Sequence, residues 1–333
     1  MIFNIFLLIV GFLILIKGSD YFVDGASSFS SNLKVPKIVI ALTIVAFGTS
    51  APEFAVSVKS MMSGSGELVL GNVIGSNVIN ILLILGVSSL VRELTVKNNT
   101  VKKELPILLM ITTLLAVVFC DSSFNNNMIN TITRADSIVI LLFFLIFMYY
   151  LFSVIRNRND KDNEEPQYKL GKSIIVSIIG VVAIIVGSNF VVDSATYIAE
   201  YFGISERIIG LTVVALGTSL PELVTSVVAA KKNEVDLAVG NIIGSNIFNI
   251  GIVLALPIIM YGDVVPIGFN MLDIVVMIVS AFILFCFSAN DGKISKKEGI
   301  VMLSLFLLYY GHMIMESVIW FIISKNHNKY CVK

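Results

Sequence analysis

Charge is scarce in this chain of 333 residues. Asp, Glu, Lys and Arg make up 14% of it, where a soluble domain carries roughly a quarter. So few charges cannot coat a soluble surface of this size. Lys and Arg balance Asp and Glu at 23 each, which removes the electrostatic basis for binding nucleic acid. Cysteine and histidine are sparse as well. Cys120, Cys286 and Cys331, like His312 and His327, stand far apart. That spacing excludes a disulfide framework and gives no zinc or haem signature; the thiols read as scattered apolar side chains. A basic n-region is missing ahead of the first apolar run, and no small-residue cleavage signal follows it. The start of the chain therefore reads as a retained helix, not a signal peptide.

Apolar length is what the chain has in abundance. Hydrophobic residues make up 56% of it, in stretches that reach the roughly 20 residues needed to cross a bilayer. Ile2–Ile16, Leu105–Phe119 and Ile138–Ile155 are the plainest. The pattern predicts about ten spans, at 2–26, 36–62, 67–91, 104–120, 135–155, 171–199, 206–230, 235–260, 269–288 and 297–323. The expected fold class is an all-α polytopic membrane protein, with the lipid bilayer as its solvent and no protein partner implied. The segment 156–169, with Arg156, Arg158, Asp160, Lys161, Asp162, Glu164 and Glu165, is a polar linker too short for a folded regulatory domain.

Basic residues in the loops set orientation. Lys34 and Lys37, the 92–103 loop, the linker, Lys231 and Lys232, and the 293–297 loop together hold about 16 of them. The opposite side holds about six, among them Lys59, Arg134 and Arg207. The richer side is expected in the cytoplasm. Both termini then face outward from the inner membrane.

The chain repeats itself. Shifted by 169, residues 18–81 align with 187–250 without a gap, and about 26 of the 64 pairs are identical. GSDYFVDGA at 18–26 matches GSNFVVDSA at 187–195. ALTIVAFGTSAPE at 41–53 matches GLTVVALGTSLPE at 210–222, and LGNVIGSNVINI at 70–81 matches VGNIIGSNIFNI at 239–250. The shift spans five helices, and an odd number of crossings returns the chain upside down. Two inverted five-helix repeats are therefore expected, 1–155 and 170–333, joined by the linker at 156–169. Such repeats build secondary transporters, with the site near the midplane where the repeats meet.

Gly-Thr-Ser-x-Pro-Glu occurs in the second and seventh spans. Proline lacks an N–H and its ring clashes with the preceding turn, so each helix should break near Pro52 and Pro221. The break should free carbonyls from Ala46 to Thr49 and from Ala215 to Thr218, at the negative end of a half-helix dipole. Irregular backbone at that depth is tolerated only where it lines a cavity or is buried in protein. Glu53 and Glu222 follow directly. A carboxylate at the bilayer centre costs at least ~2.5 kcal/mol, so two at equivalent positions point to function. Oxygen ligands suit a hard cation, and two carboxylates match the charge of one Ca2+ or two Na+. The structural alternative is a protonated glutamate bonded to a neighbouring helix.

The third and eighth spans carry a polar stripe at i, i+4, i+8: Asn72, Ser76 and Asn80, repeated as Asn241, Ser245 and Asn249. Ser76, Asn80, Ser245 and Asn249 read as neutral ion ligands. Gly71-x-x-x-Gly75 and Gly240-x-x-x-Gly244 are small-residue packing motifs, and Asn72, Asn77, Asn241 and Asn246 in and beside them read as packing or backbone-bonding residues. Thr49, Ser50, Thr218 and Ser219 at the breaks could bind ions or cap the second half-helix. Ser57 and Ser226, one turn past each glutamate, fit either an access route or bonding back to their own helix. Asp24 and Asp193 read as solvated or capping, and Glu67 and Asp236 as dipole-favoured first-turn acids.

The doubled GTSxPE and GNxxGSN motifs resemble the alpha repeats of the Na+/Ca2+ exchangers, within the Ca2+/cation antiporter superfamily, at 40–81 and 209–250. The resemblance covers both halves in order. It implies ten helices, with the second, third, seventh and eighth forming an ion-binding core across which the first and sixth slide. It implies Glu53 and Glu222 as the main Ca2+ ligands and Thr49 and Thr218 as carbonyl and hydroxyl contributors. Ser50, Ser76, Ser219 and Ser245 would be Na+ ligands, Ala46 and Ala215 carbonyl donors to outer Na+ positions, and Asn80 and Asn249 the midplane pair. The transported ions would be Ca2+ and Na+, with no cofactor and no enzymatic step. Some members carry aspartate where this chain has Asn249, as the K+-dependent branch tends to; the amide argues against K+ dependence. GNVIGSN and GNIIGSN lack the acid usual in the H+/Ca2+ branch, which favours Na+ as the coupling ion. An H+/Ca2+ antiporter using the same site is the nearest alternative. A cation channel is more distant, since it would be expected to show cyclic symmetry. No HExxH, Ser/Lys pair or aspartate dyad suggests an intramembrane enzyme.

Overall fold

The computed structural model describes residues 1–120, 130–156, 165–202, 215–266 and 271–330, apart from the side chains of residues 215 and 316–330. In hydrocarbon a backbone must satisfy its N–H and C=O groups within its own segment, so apolar runs become helices. The order is α1 (Ile2–Leu33), α2 (Lys37–Thr49), α3 (Ala51–Met62), α4 (Gly66–Val91), β1 (Leu94–Thr95), α5 (Leu105–Phe119), α6 (Arg134–Arg156) and α7 (Leu170–Tyr201). Then come α8 (Ala215–Thr218), α9 (Leu220–Lys231), α10 (Val235–Tyr261), α11 (Met271–Asp291), β2 (Lys293–Ile294) and α12 (Lys296–Tyr330).

Seven of these are long and apolar enough to cross a membrane: α1, α4, α6, α7, α10, α11 and the Lys296–Met315 part of α12. Helices α2 and α3, bent by 47° at their break, make an eighth candidate if the pair is counted as one span. The span expected at 104–120 is the 15-residue α5, entered through a π-helical turn at Thr100–Glu104. The span expected at 206–230 begins outside the described residues and continues as α8 and α9. Most of the linker at 156–169 also lies outside them.

Two expectations need amendment. The chain is not wholly helical: β1 and β2 form a two-residue antiparallel ladder, Leu94 opposite Ile294 and Thr95 opposite Lys293. The first helix does not stop near residue 26. The Ser-rich run after it stays helical because polar side chains bond back one turn, Ser31 Oγ to the Ser27 carbonyl at 3.2 Å and Asn32 Nδ2 to the Ser28 carbonyl at 2.7 Å. The helix ends at Lys34, which takes the left-handed conformation with φ 53°.

Loops separate onto two faces. On one, Lys37 pairs with Glu234 at 2.8 Å and Lys97 with Asp236 at 2.6 Å. Lys293 pairs there with Glu93 at 3.1 Å, and Asn32 donates to the Tyr168 carbonyl at 2.7 Å. The Glu93 carboxylate holds the Lys293 ammonium above its usual pKa. These are the loops rich in Lys and Arg. On the other face, Ile132 bridges Val264, and the Arg134 N–H donates to Asp263 at 2.8 Å.

Burial divides the helices the same way a bilayer would. The most apolar stretches of α4 and α10 are 72% and 83% buried within the protein, against 22% for α1 and α6 and 28% for α7. The central pair therefore meets protein, and the outer helices turn Ile, Leu and Phe outward, for example Phe6, Ile146 and Ile178. Helices α1 and α7, each 32 residues, measure about 48 Å at 1.5 Å per residue. That exceeds a hydrocarbon core of about 30 Å. They run antiparallel in close contact, Gly11 against Gly187 and Gly18 against Gly180. A Cβ on Gly180 would lie 2.6 Å from the Phe22 nitrogen and 2.8 Å from the Gly18 carbonyl, so only glycine permits this approach.

Candidate ion-binding site

The two breaks place the site. At the first, Ser50 leaves helical geometry (φ −84°, ψ 7°) between α2 and α3. At the second, Ser219 does the same (φ −87°, ψ 3°) between α8 and α9. Pro52 and Pro221 sit in the first turn of α3 and α9, where a missing N–H costs nothing. Glu53 and Glu222 occupy the same first turns, at the positive end of each half-helix dipole. Both glutamates are buried, at 1% and 0% exposure, and they lie within electrostatic reach of each other.

The seryl hydroxyls at the breaks do not cap α3 or α9. Ser50 instead donates across the molecule to Glu222 Oε1 at 2.9 Å, and Ser245 approaches the same oxygen at 3.4 Å. Thr49 Oγ1 donates to Asn241 Oδ1 at 3.0 Å and lies 3.4 Å from Ser245 Oγ. Ser219 donates to Ser76 at 3.3 Å. Thus Thr49, Ser50, Glu222 and Ser245 form one buried bonded group and Ser76 and Ser219 a second, with Glu53 buried one turn beyond Ser50. Thr218 closes α8 immediately before the second break. The Ala46 carbonyl is not freed by the first break: it accepts from the Ser50 N–H at 2.9 Å and from Thr49 Oγ1 at 3.3 Å. Ala215 opens α8, and its side chain lies outside the described set.

Asn80 and Asn249 stand one turn beyond Ser76 and Ser245, each at the start of a π-helical turn, Ile79–Leu85 and Asn249–Leu254. Single π turns in an α-helix are frequent at functional sites. Asn80 Nδ2 donates to Asn246 Oδ1 at 2.9 Å, and Asn249 Nδ2 to Asn77 Oδ1 at 3.1 Å. Asn77 and Asn246 in turn donate to each other's main-chain carbonyls, at 3.4 and 3.2 Å. A shift of 169 exchanges every member of this set. It also exchanges Asn72 Nδ2 to Ser57 Oγ at 3.1 Å with Asn241 Nδ2 to Ser226 Oγ at 3.0 Å. Ser57 and Ser226 are therefore acceptors that tie α3 to α4 and α9 to α10.

A buried oxygen lacking a protein hydrogen bond is an atom that a cation could satisfy. Eight buried side-chain atoms among the described residues have none; four of them are Glu53 Oε2, Glu222 Oε2, Asn80 Oδ1 and Asn249 Oδ1. Each such atom costs about 1–3 kcal/mol if nothing satisfies it. They fall at two pairs of equivalent positions, and all are oxygens. Two carboxylates, two amides and the neighbouring hydroxyls are the donor set of a hard cation.

Comparison with known proteins points to one family. The sequence model of a family described as "Sodium/calcium exchanger protein" matches residues 3–153 and 172–315. The inner membrane protein YrbG of Escherichia coli (strain K12) is 37% identical over 301 residues, covering 86% of this chain and 90% of the relative. The sodium/calcium exchanger MaX1 of Methanosarcina acetivorans is 34% identical over 343 residues, covering 92% and 97%. Among solved structures, the sodium-calcium exchanger NCX_Mj soaked with 10 mM Na+ and zero Ca2+ superposes with a TM-score of 0.79 at 31% identity, over 92% of this chain and 97% of that one.

Proposed function

The chain belongs to the sodium/calcium exchanger protein family, and from that premise we propose how it works. It is a multi-pass membrane antiporter, not an enzyme, and it exchanges Na+ for Ca2+. Ca2+ binds between Glu53 and Glu222, with Asn80 and Asn249 completing the midplane oxygens and Thr49 and Thr218 contributing beside them. Na+ ions occupy the same carboxylates together with Ser50, Ser76, Ser219 and Ser245, and with the Ala215 carbonyl at an outer position; the Ala46 carbonyl, already accepting from the Ser50 N–H and Thr49 Oγ1, would serve only where Thr49 releases it. Occupancy by Ca2+ and by Na+ is mutually exclusive because the carboxylates are shared.

The observation that carries this reading is the set of four buried, unpartnered oxygens at repeat-equivalent positions. The reading also takes the chain as ten helices in two inverted repeats, 1–155 and 170–333. The antiparallel α1–α7 pair and the reciprocal asparagine bonds support that arrangement. Alternating access follows from it, with α1 and α7 moving across the α2–α4 and α8–α10 core. Movement is permitted only when the site is neutralised, since a bare pair of carboxylates is unfavourable in a dry barrier. The basic face is assigned to the cytoplasm, which puts both termini outside.

The deciding experiment is 45Ca2+ uptake into liposomes loaded with Na+ and diluted into Na+-free buffer, beside K+-loaded liposomes and the Glu53→Gln variant. Uptake that requires internal Na+ and vanishes in the variant is expected. Uptake indifferent to Na+ but driven by a pH gradient would replace Na+ with H+ as the coupling ion.

A further inference from the structure

An asparagine amide is two-faced. Rotated by 180°, it presents N–H groups where it had presented oxygen, and only its hydrogen bonds decide which edge faces a cation. Asn80 and Asn249 are 1% and 0% exposed, so water does not make the choice. The choice is made by Asn246 and Asn77. Each accepts the Nδ2 of the midplane asparagine on the opposite helix, at 2.9 and 3.1 Å, leaving the Oδ1 of Asn80 and of Asn249 without a protein partner.

The polarity of this network has an absolute reference. Asn77 Nδ2 points to the Asn246 main-chain carbonyl and Asn246 Nδ2 to that of Asn77. A main-chain carbonyl can only accept, so both amides must present nitrogen to it and oxygen to their other neighbour. That oxygen in turn requires nitrogen from Asn249 or Asn80, whose own oxygen is then turned away from the network. Four buried amides thus have one arrangement in which every contact between them pairs a donor with an acceptor, anchored at both ends by backbone.

We propose that Asn77 and Asn246 are positioning residues that hold the amides of Asn249 and Asn80 oxygen-first toward the transported cation, each serving the ligand of the opposite repeat. The inference rests on the Na+/Ca2+ site described above. It gives the second Asn of each GNxxGSN motif a role in ion affinity, beyond the packing or backbone bonding its sequence context suggested. It also makes the two ligands crosswise dependent: Asn249 on Asn77, and Asn80 on Asn246.

The test uses the crossing. Ca2+ affinity is measured by titration calorimetry on the full-length protein in Na+-free detergent buffer. Asn77→Leu frees the Asn249 amide to rotate and should weaken Ca2+ binding tenfold or more. A carboxylate presents oxygen from either edge, so in an Asn249→Asp background the same Asn77→Leu change should cost less than threefold. In an Asn80→Asp background it should still cost tenfold, whereas Asn246→Leu should show the reverse pattern. A structural defect would weaken binding equally in every background, and that result would overturn the proposal. Asn77→Thr, which keeps an acceptor oxygen, serves if the leucine variant does not fold; it should retain binding within threefold, and a tenfold loss would count against the proposal. Glu53→Gln is measured alongside. If it binds Ca2+ normally, the site assignment fails; if it does not bind and the crossed pattern is absent, the positioning role alone fails.

Discussion

Ser50 and Glu222 are 172 residues apart, yet the Ser50 hydroxyl donates to Glu222 Oε1 at 2.9 Å. The bond joins the break of one repeat to the carboxylate of the other. A serine followed three residues later by glutamate ordinarily forms a capping box within one helix. Here Ser50-x-x-Glu53 and Ser219-x-x-Glu222 leave that local pairing unused, and Ser50 is turned across the repeat interface.

Replacing Ser50 by alanine should therefore act on the site and leave the helix end intact. A hydrogen bond to a charged group contributes about 1.5–3 kcal/mol, which corresponds to roughly 10- to 100-fold in an equilibrium constant. The expected outcome is a rise of that order in the Na+ concentration for half-maximal exchange, with α3 still formed. Liposome uptake over a Na+ series measures the first, and far-UV circular dichroism checks the second.

Glu222→Gln keeps an acceptor for Ser50 but removes the charge. Breaking a buried charged set at one member costs about 3–5 kcal/mol, so Na+-dependent Ca2+ uptake should fall by about 100-fold or more. Glu53→Gln should do the same, since its position is equivalent. Uptake within a few-fold of the unchanged protein in either variant would remove the carboxylates from the site.

Much of this site was legible because the chain states it twice. The breaks at Ser50 and Ser219, the buried glutamates and the polar stripes all follow from local chemistry, namely proline, apolar length and helical spacing. What depended on a distant partner was not legible. The bond that Ser57 accepts from Asn72 on α4 has no local signature in the sequence. Asp24 looks solvated or capping, but Lys232 binds it at 2.7 Å from the α9–α10 turn; its repeat mate Asp193 is exposed. The end of α1 is hidden in the sequence because serine and asparagine signal a loop unless their side chains bond back to the helix. The π turns at Asn80 and Asn249 leave no periodicity that a stripe at i, i+4, i+8 would reveal.

The Lys232 contacts give a stability prediction. Its ammonium lies 2.7 Å from Asp24 and 3.4 Å from Asp20, with all three side chains about 30% exposed. Partial exposure limits such pairs to about 1 kcal/mol or less each. Lys232→Ser, the residue that Ser63 supplies in the other repeat, should lower the melting temperature by a few degrees. The exchange of charges in Asp24→Lys with Lys232→Asp should recover part of the loss. Thermal unfolding in detergent reads both.

The α1–α7 seam makes a sharper one. Gly180 faces the Phe22 nitrogen at a distance that no Cβ tolerates, so Gly180→Leu must push the helices apart. Overpacking costs about 1–3 kcal/mol or more, and exchange should fall with stability. Ile179→Ala, beside it but 54% exposed toward lipid, should change neither greatly. If Gly180→Leu transports normally, the close approach is not needed for movement.

The glutamates also set stability against function, in a way the cation should reveal. Two buried carboxylates within reach of each other are unfavourable when no cation offsets their charge. Ca2+ bound as proposed would satisfy the unpartnered oxygens and stabilise only the folded state, by about 2.7 kcal/mol at a concentration 100 times its dissociation constant. The melting temperature should therefore rise on adding Ca2+, and excess Na+ should diminish that rise by competing for the same oxygens. Glu53→Gln removes one charge from the pair. It should melt higher than the unchanged protein in cation-free buffer and yet gain nothing from Ca2+. That reversal separates a site residue from a structural one, because losing a structural carboxylate would lower stability in both buffers. Differential scanning fluorimetry of the two proteins, with and without Ca2+, is sufficient to distinguish the two cases.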